Sequence, residues 1–514
     1  MGRIEKSVRN FKFHMLSQVI TVILSFITRT CMIRFVGIEA LSLNSLFTQV
    51  ISAISLAEMG VGTAITYNLY KPLAEEDHEK VSELMNLFRS AYQIIGLATL
   101  VIGVGLVPWI QFFIKEISYD MSYIRLVYML FVFQSAVSYL FSYKITLMQA
   151  DQNGYIYVRI STIFKLIGTA LLLVLLMLTR RYLVFLTANI ALTIATDAYA
   201  SHVVDQKYSY INRKAKLPKN ERKEIFSNIR NIFIMQFAGR VVDSTDNILI
   251  SGLISTILVG MYSNYMVVIG FFKQVSDKLM DSAYASMGNL FVSDETDKKM
   301  HTLTRLTFIF FTFACVSCAG IFACIQSFIQ LWLGDAFLME MPVVITLCFL
   351  YFVAIVFDPL KTAMRLTGYF AIGRNISFVS AMANLIVSVI LGYRIGLIGI
   401  FLGTMCTYVI ELITKTYYLY YKFLNRSALP YILLWVKMLS VFTVDLLIIH
   451  LIKTRIRLSP LPTFFILGGS SVAITAICIS IVFMKTEEYQ YVYNLLLSYI
   501  TKFLKKFKIL RGGD

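Results

Sequence analysis

The sequence predicts an all-α polytopic membrane protein with about 14 transmembrane helices. Hydrophobic residues make up 58% of its 514 residues, charged residues only 15%, and the mean hydropathy is +0.71. A soluble domain of this length cannot bury so much apolar surface in a core of ordinary size. An internal repeat further predicts two six-helix lobes in parallel repeat around a central cleft, followed by two extra C-terminal helices.

Apolar runs of about twenty residues, the length that crosses a bilayer, recur along the whole chain. Each run predicts one spanning helix whose edges are uncertain by several residues. The predicted centres lie near residues 24, 52, 101, 135, 168, 193, 240, 265, 315, 351, 382, 405, 440 and 473.

The repeat is visible in residues that recur at a fixed displacement. Gln18 returns as Gln236, a displacement of 218 positions, and the same displacement carries Ser42–Ser45 onto Gly260–Ser263 without a gap. Each repeat holds six predicted helices, an even number, so both repeats insert in the same orientation. Internal repeats on this scale are typical of transporters, whose substrate path lies between the repeats.

Five segments follow from the repeat and the charge pattern. They are an N-terminal six-helix lobe at 1–204, a basic cytoplasmic linker at 205–230 that runs into helix 7, a second six-helix lobe at 226–425, helices 13 and 14 at 426–485, and a cytoplasmic tail at 486–514. The tail has apolar residues largely on one face and lysines largely on the other, which predicts an amphipathic helix on the inner leaflet. A partly ordered, solvated tail is the alternative.

The net charge of +17 indicates membrane orientation rather than nucleic-acid binding. Lysine and arginine stand at the ends of apolar segments and in loops that are predicted to be cytoplasmic, as the positive-inside rule requires. Both termini are therefore predicted to lie in the cytoplasm. One loop disagrees, because Lys453, Arg455 and Arg457 fall on the outside in this topology.

Polar side chains form one stripe on the first helix of each repeat. An ionised side chain at the centre of a span costs about 2.5 to 3.5 kcal/mol, so these stripes are predicted to line the cleft. Arg240 and Asp243 can instead neutralise each other as an intrahelical pair, which leaves Asp246 unexplained. The stripe of the second repeat contains Gln236, Arg240, Asp243, Asp246 and Asn247, and that of the first contains Gln18, Ser25, Thr28 and Arg29.

Other charges within or near the apolar runs are mostly cationic. They are Arg34, Glu58, Arg89, Lys144, Lys165, Lys273, Asp358, Lys361 and Arg365. A cationic cleft favours an anionic substrate, because arginine and lysine can replace the water around a phosphate. Arg34 and Lys273 are predicted to contact it together with Arg29, whereas Lys144, Lys361 and Arg365 lie near enough to the cytoplasmic ends to snorkel.

Enzymatic signatures are absent from the sequence. No glycine-rich phosphate loop ends in Gly-Lys-Ser or Gly-Lys-Thr, and the five histidines have no metal-binding or catalytic spacing. The seven cysteines follow no paired or zinc-like pattern. We therefore expect a protein that is not an enzyme and that needs no cofactor or metal.

Two motifs resemble a known family. The first runs from Phe35 through Leu41–Phe47 to Ser55–Gly62, and the second combines Thr245–Ser251 with Val259–Tyr265. They are similar to the two repeats of bacterial polysaccharide flippases in the multidrug/oligosaccharidyl-lipid/polysaccharide exporter superfamily, particularly those of Gram-positive capsule or exopolysaccharide pathways. Ser42 and Ser45 stand where glycines are common, which concerns helix packing more than function.

The resemblance implies a plasma-membrane transporter that moves undecaprenyl-pyrophosphate-linked oligosaccharide from the inner to the outer leaflet by alternating access. Its expected partners are that substrate, membrane lipids, and the polysaccharide polymerase and glycosyltransferases of the same pathway, but no nucleic acid. Expected substrate contacts are Arg29, Arg34, Gln18, Asn44, Gln236, Arg240, Asn247 and Lys273, and candidate ion-coupling residues are Asp243, Asp246, Glu58 and Asp358.

Two alternatives remain open at this stage. A cation-coupled multidrug exporter of the same superfamily would have twelve helices and an acidic cleft, and a non-transporting scaffold of a polysaccharide assembly complex would tolerate neutral cleft residues. Within the flippase hypothesis, Arg29 and Arg34 are five residues apart, about 140° around a helix, so they cannot both point along one line. Arg29 is favoured for pyrophosphate because it continues the stripe from Gln18 and Ser25.

Overall fold

The computed structural model describes residues 3–55, 61–212, 214–223, 225, 244–292, 295–455 and 459–511. Within these residues the regular structure is helical and contains no strand. Twelve of the described helices are long and apolar enough to cross a membrane. These observations agree with the predicted all-α membrane fold.

The helices of the first half are short near the N-terminal motif and long elsewhere. They are α1 (Arg3–Phe35), α2 (Ile38–Ile54), α3 (Val61–Ala74), α4 (His78–Leu106), α5 (Met121–Ala150), α6 (Gly154–Thr179) and α7 (Tyr182–Lys207). A 3₁₀ segment, Val107–Phe113, continues α4, and a helical stretch at 244–249 continues into a π-helical turn, Ile250–Ile254.

The second half contains two of the longest helices and ends in a helical tail. These helices are α8 (Thr256–Val292), α9 (Thr296–Leu333), α10 (Met341–Leu366), α11 (Phe370–Ile395), α12 (Leu397–Tyr417), α13 (Leu429–Arg455), α14 (Pro460–Phe483) and α15 (Glu487–Arg511).

Twelve of the fourteen predicted centres fall in the twelve candidate spans. The centre predicted near residue 52 lies in α2, which is too short to qualify because Ser55 leaves the helical conformation with φ −73° and ψ 85°. The centre predicted near 240 lies outside the described residues, as do Gln236, Arg240 and Asp243. The basic linker predicted at 205–230 is only partly within the described residues, and it remains an expectation.

Helix ends follow ordinary capping chemistry. The carboxylate of Asp77 accepts a hydrogen bond from the backbone N–H of Lys80 (2.9 Å) at the start of α4, and that of Asp120 accepts one from the N–H of Ser122 (2.9 Å) at the start of α5. The latter bond is the main cause of a lowered Asp120 pKa. Gly334 closes α9 at φ +96°, a left-handed conformation that favours glycine.

The chain forms two compact units. Unit 1 comprises Met1–Ser263 and Leu385–Ile400, and unit 2 comprises Asn264–Asn384 and Phe401–Asp514. In unit 1, α1 packs on α6, while α5 packs on both α4 and α7. Phe88, Tyr92 and Leu147 belong to its buried apolar core. This packing surrounds the polar cavities described below.

Unit 2 is organised around α9, which packs against α10, α13 and α14. Aromatic rings fill the contact: Phe308 and Phe311 meet Phe483 at centroid distances of 5.1 and 5.5 Å, and Phe352 stacks on Phe442 at 3.9 Å. Aromatic packing therefore fixes the two helices predicted as C-terminal additions, α14 onto α9 and α13 onto α10.

Candidate functional site

A polar cavity of about 510 Å³ lies within unit 1, between α1, α2, α6 and α7. Its wall carries Arg29 and Lys165 as cations and Asp197 as the one anion among the lining residues. We call it the cationic cavity. Hydroxyl and amide groups make up most of the remaining polar wall, including those of Thr28, Asn44, Ser161 and Asn189.

Three helices supply this wall through the same spacing. Residues at i, i+4, i+7 and i+8 lie on one face of an α-helix. The lining positions are Thr21, Ser25, Thr28 and Arg29 on α1, Ser161, Lys165, Gly168 and Thr169 on α6, and Asn189, Thr193, Thr196 and Asp197 on α7. The sequence analysis predicted the polar face of α1 but not that of α7, although polar residues have the same spacing on both helices.

Arg29 lies where α1 meets the start of α8. Its Nη1 donates a hydrogen bond to the Ser263 hydroxyl (2.8 Å), and the Ser45 hydroxyl donates to the same oxygen (3.1 Å). Arg29 also lines the cationic cavity. One nitrogen of its guanidinium is thus bonded to Ser263, while the side chain forms part of the cavity wall.

Lys165 and Asp197 complete the charged wall. The Lys165 ammonium donates to the Thr21 hydroxyl (3.3 Å), which joins α6 to α1. Asp197 is buried and interacts with the hydroxyl of Ser138 on α5. Two cations facing one carboxylate leave the lining residues with a net positive charge, which favours an anionic ligand.

A second cavity, of about 690 Å³, lies between α2, α4, α5 and α7 of the same unit. We call it the neutral cavity, because none of its described lining residues is charged. Asn44 and Asn189 line both cavities. The amide oxygen of Asn44 accepts a hydrogen bond from the Tyr182 hydroxyl (3.3 Å). The neutral cavity is also lined by Thr48, Ile51, Ser52, Ser55, Gly62, Tyr92, Phe131, Gln134, Ser135, Ser138, Tyr139 and Ser142.

Residues that correspond under the displacement of 218 contact each other in unit 1. Ser45 is hydrogen-bonded to its equivalent, Ser263, and a Cβ built on Gly260 would lie 2.2 Å from the hydroxyl oxygen of its equivalent, Ser42. Ser42 and Ser45, the positions that depart from the usual glycines, thus both lie at a close helix contact.

Several charges in unit 2 form ion pairs. The Lys273 ammonium bonds Asp277 (2.5 Å) and Asp358 (2.8 Å), and Lys361 reaches the other oxygen of Asp358 (3.2 Å). Lys415 pairs with Glu411 on α12 (2.6 Å). Lys273 and Asp358, predicted as substrate and ion-coupling candidates respectively, therefore bind each other in this structure.

The remaining predicted site residues are dispersed. Gln18 lies on α1 but lines neither cavity, and Arg34 is exposed and also lines neither. Asp246 and Asn247 lie in the helical stretch at 244–249. Glu58 lies outside the described part of the chain, as do Gln236, Arg240 and Asp243. The structure thus brings Arg29 and Asn44 together, and adds Lys165, Asn189 and Asp197 to them.

Apolar spanning helices that enclose charged and polar cavities define a polytopic membrane protein of the transporter class. Residues 7–270, just over half of the chain, match the family described as polysaccharide biosynthesis protein, and the chain belongs to this family. No curated protein sequence matches it.

Solved structures of transporters share the fold. A lipid II flippase, MurJ, in an inward closed conformation has a TM-score of 0.64 at 13% identity, covering 93% of this chain and 98% of its own. An inward-facing multidrug transporter of the MATE family and MOP superfamily has a TM-score of 0.59 at 12% identity, covering 80% and 96%. A MATE transporter of Vibrio cholerae has a TM-score of 0.54 at 11% identity, covering 80% and 97%.

The family match confirms the predicted relation to polysaccharide biosynthesis proteins, and the shared fold agrees with the predicted membrane fold. They also agree with the prediction that the protein is not an enzyme, since these solved structures are described as a flippase and transporters.

Proposed function

We propose that the protein is a flippase that moves undecaprenyl-pyrophosphate-linked oligosaccharide from the inner to the outer leaflet for surface polysaccharide synthesis. The observation that carries this proposal is the cationic cavity, where Arg29 and Lys165 share a wall with amides and hydroxyls. The polysaccharide biosynthesis family and the flippase fold support the same reading. The proposal includes the Gram-positive capsule or exopolysaccharide type, the plasma membrane as location, and cytoplasmic termini.

The chemistry of such a substrate matches the cavity. A pyrophosphate and a set of sugar hydroxyls cannot cross hydrocarbon without hydrogen-bond partners, whereas a polyprenyl tail can remain in the lipid. Guanidinium and ammonium groups supply charge-assisted bonds that replace the hydration of the phosphate oxygens. Arg29 and Lys165 would therefore hold the pyrophosphate, with Asn44 beside them.

The transport cycle we propose is alternating access, in which the cavity opens first to one side of the membrane and then to the other. Asp246 and Asp358 remain proposed sites of ion coupling, together with Glu58 and Asp243. Moving one charge across the membrane potential is worth about 2.3 kcal/mol per 100 mV, which is enough to bias such a cycle. Arg34, Gln18, Gln236, Arg240, Asn247 and Lys273 remain proposed substrate contacts.

A second candidate is a cation-coupled drug exporter. Asp197 favours it, because a buried carboxylate on a cavity wall can bind a cationic drug or a coupling ion, and the MATE structures share the fold. The two functions differ in ligand charge. A flippase of this kind needs Arg29 and Lys165, whereas an exporter of cations would be helped by their removal.

The test is transport by the purified full-length protein in liposomes. A fluorescent undecaprenyl-pyrophosphate oligosaccharide is placed in both leaflets, and its translocation is followed by quenching from outside. We expect Arg29→Ala to lower the rate at least tenfold, since one charge-assisted hydrogen bond contributes about 1.5 to 3 kcal/mol. The matched control is Arg181→Ala, which removes an exposed arginine that lines neither cavity.

An equal rate in wild type, Arg29→Ala and empty liposomes would contradict the flippase proposal. Faster export of a cationic dye such as ethidium by Arg29→Ala than by wild type would support the exporter instead. A scaffold would show no transport of either compound, and its Arg29→Ala variant would still support polysaccharide assembly in cells.

A further inference from the structure

The neutral cavity differs from the cationic cavity in chemistry as well as in size. Its described wall carries hydroxyls from serine, threonine and tyrosine, amides from Asn44, Gln134 and Asn189, and the aromatic faces of Tyr92, Phe131 and Tyr139. Such groups both donate and accept hydrogen bonds. An anion placed among them would lose its hydration and find no cation in the described wall.

The two cavities adjoin at two side chains. Asn44 of α2 and Asn189 of α7 are part of both walls, so a ligand in one cavity lies one side chain away from a ligand in the other. Gln134 lines the neutral cavity and its amide donates to Thr193 (3.3 Å), which lines the cationic cavity. A hydrogen bond thus also joins residues that line the two cavities.

This arrangement matches one molecule with two chemically distinct parts. In a polyprenyl-pyrophosphate sugar, the first sugar is bonded directly to the pyrophosphate, so a sugar site must adjoin the phosphate site. We infer that the neutral cavity is the glycan subsite, which takes the uncharged, hydroxyl-bearing sugar next to the pyrophosphate. This inference rests on the proposed flippase function and adds a division of labour between the two cavities.

The side chains that line the neutral cavity also determine which sugars fit. Amides and hydroxyls recognise hydroxyl and acetamido groups, and the aromatic faces pack against the apolar side of a sugar ring. A uronic acid at the first position would bring a carboxylate into a wall without a described cation. The subsite therefore selects neutral first sugars.

The experiment compares two classes of probe on the purified full-length protein. One is undecaprenyl pyrophosphate without sugar, and the other is the same lipid carrying glucose, galactose or N-acetylglucosamine. Binding is measured by native mass spectrometry in detergent, and the sugar-bearing probe that binds most tightly is used for all variants. Wild type should bind it at least tenfold more tightly than the bare lipid pyrophosphate.

Two variants address the subsite. Gln134→Leu removes one amide, and Ser135→Leu places a larger apolar group in the cavity. Both should lower affinity for the sugar-bearing probe at least threefold while leaving the affinity for the bare probe unchanged, which also shows that the variants are folded. The matched control is Gln149→Leu, an exposed glutamine of the same helix that lines neither cavity. It should leave both affinities unchanged.

The outcomes separate the two proposals. Loss of both probes in Arg29→Ala, with selective loss of the sugar-bearing probe in Gln134→Leu, supports the glycan subsite. If wild type binds both probes equally, or if Gln134→Leu and Ser135→Leu leave the sugar preference intact, the subsite is overturned while the flippase proposal stands. If wild type binds neither probe, the flippase proposal fails and the subsite fails with it.

Discussion

Two cations of unit 1 and two cations of unit 2 have different partners. In unit 1, Arg29 and Lys165 bond the hydroxyls of Ser263 and Thr21 and lie on a cavity wall. In unit 2, Lys273 and Lys361 bond the carboxylate of Asp358. A cation held by neutral hydroxyls keeps its charge for a ligand, whereas a cation held by a carboxylate is neutralised by the fold. Charges in apolar helices thus serve either binding or stability, and their partners show which.

The largest effect is expected from removing both cations of the cationic cavity. The double variant Arg29→Ala, Lys165→Ala should lower flippase rate at least 100-fold, because two charge-assisted hydrogen bonds contribute about 1.5 to 3 kcal/mol each. Its thermal unfolding midpoint should stay within a few degrees of wild type, since the hydrogen bonds to Ser263 and Thr21 are made with neutral hydroxyls. Proteoliposome transport and differential scanning fluorimetry measure the two quantities. A large drop in stability with unchanged transport would reverse the comparison.

The second prediction concerns the ion pairs of unit 2. Asp358→Ala leaves Lys273 and Lys361 without this carboxylate. It should lower the free energy of unfolding by about 3 kcal/mol, the low end of the range for breaking a buried pair. Asp281→Ala is the matched control, because its pair with Lys278 is exposed and worth less than about 1 kcal/mol. Unfolding in detergent gives both values. Normal stability with slowed turnover would instead assign Asp358 to ion coupling.

A smaller effect is expected at the contact between equivalent residues. Gly260→Ala would place a Cβ 2.2 Å from the Ser42 hydroxyl oxygen and so displace the start of α8, where Ser263 binds Arg29. Overpacking of this kind costs about 1 to 3 kcal/mol, and Ser42→Gly should restore part of it. Gly270→Ala, on the same helix, should leave the stability unchanged, because a Cβ built on Gly270 has no neighbouring heavy atom within 4 Å. Equal thermal stability of the two alanine variants would disprove the close contact.

Much of the fold could be predicted because each spanning helix carries its own signal. About twenty apolar residues must form a helix in lipid. Twelve predicted centres accordingly fall in described helices that are long and apolar enough to cross a membrane. The centre near residue 52 shows the limit. Helix α2 ends at Ile54, because the backbone of Ser55 leaves the helical conformation, and the apolar run does not predict this end.

The site was only partly readable from the sequence, for a different physical reason. Arg29 was found because a cation on an apolar helix is rare and lies on one face with Ser25 and Thr28. Asn189 was missed because a neutral amide in a span is unremarkable until its neighbours are known. Lys273 was read as a substrate contact because the sequence does not reveal that Asp358, 85 positions away, binds it.

One measurement tests the central claim most directly: binding of geranylgeranyl pyrophosphate at physiological salt, by isothermal titration, to two double variants. Arg29→Gln, Lys165→Gln removes the cations of the cationic cavity. Lys415→Gln, Glu411→Gln removes one ion pair of unit 2 without changing net charge. The account predicts that the first variant loses at least tenfold in affinity and that the second binds like wild type. Normal binding by the first variant, with loss in the second, would contradict it.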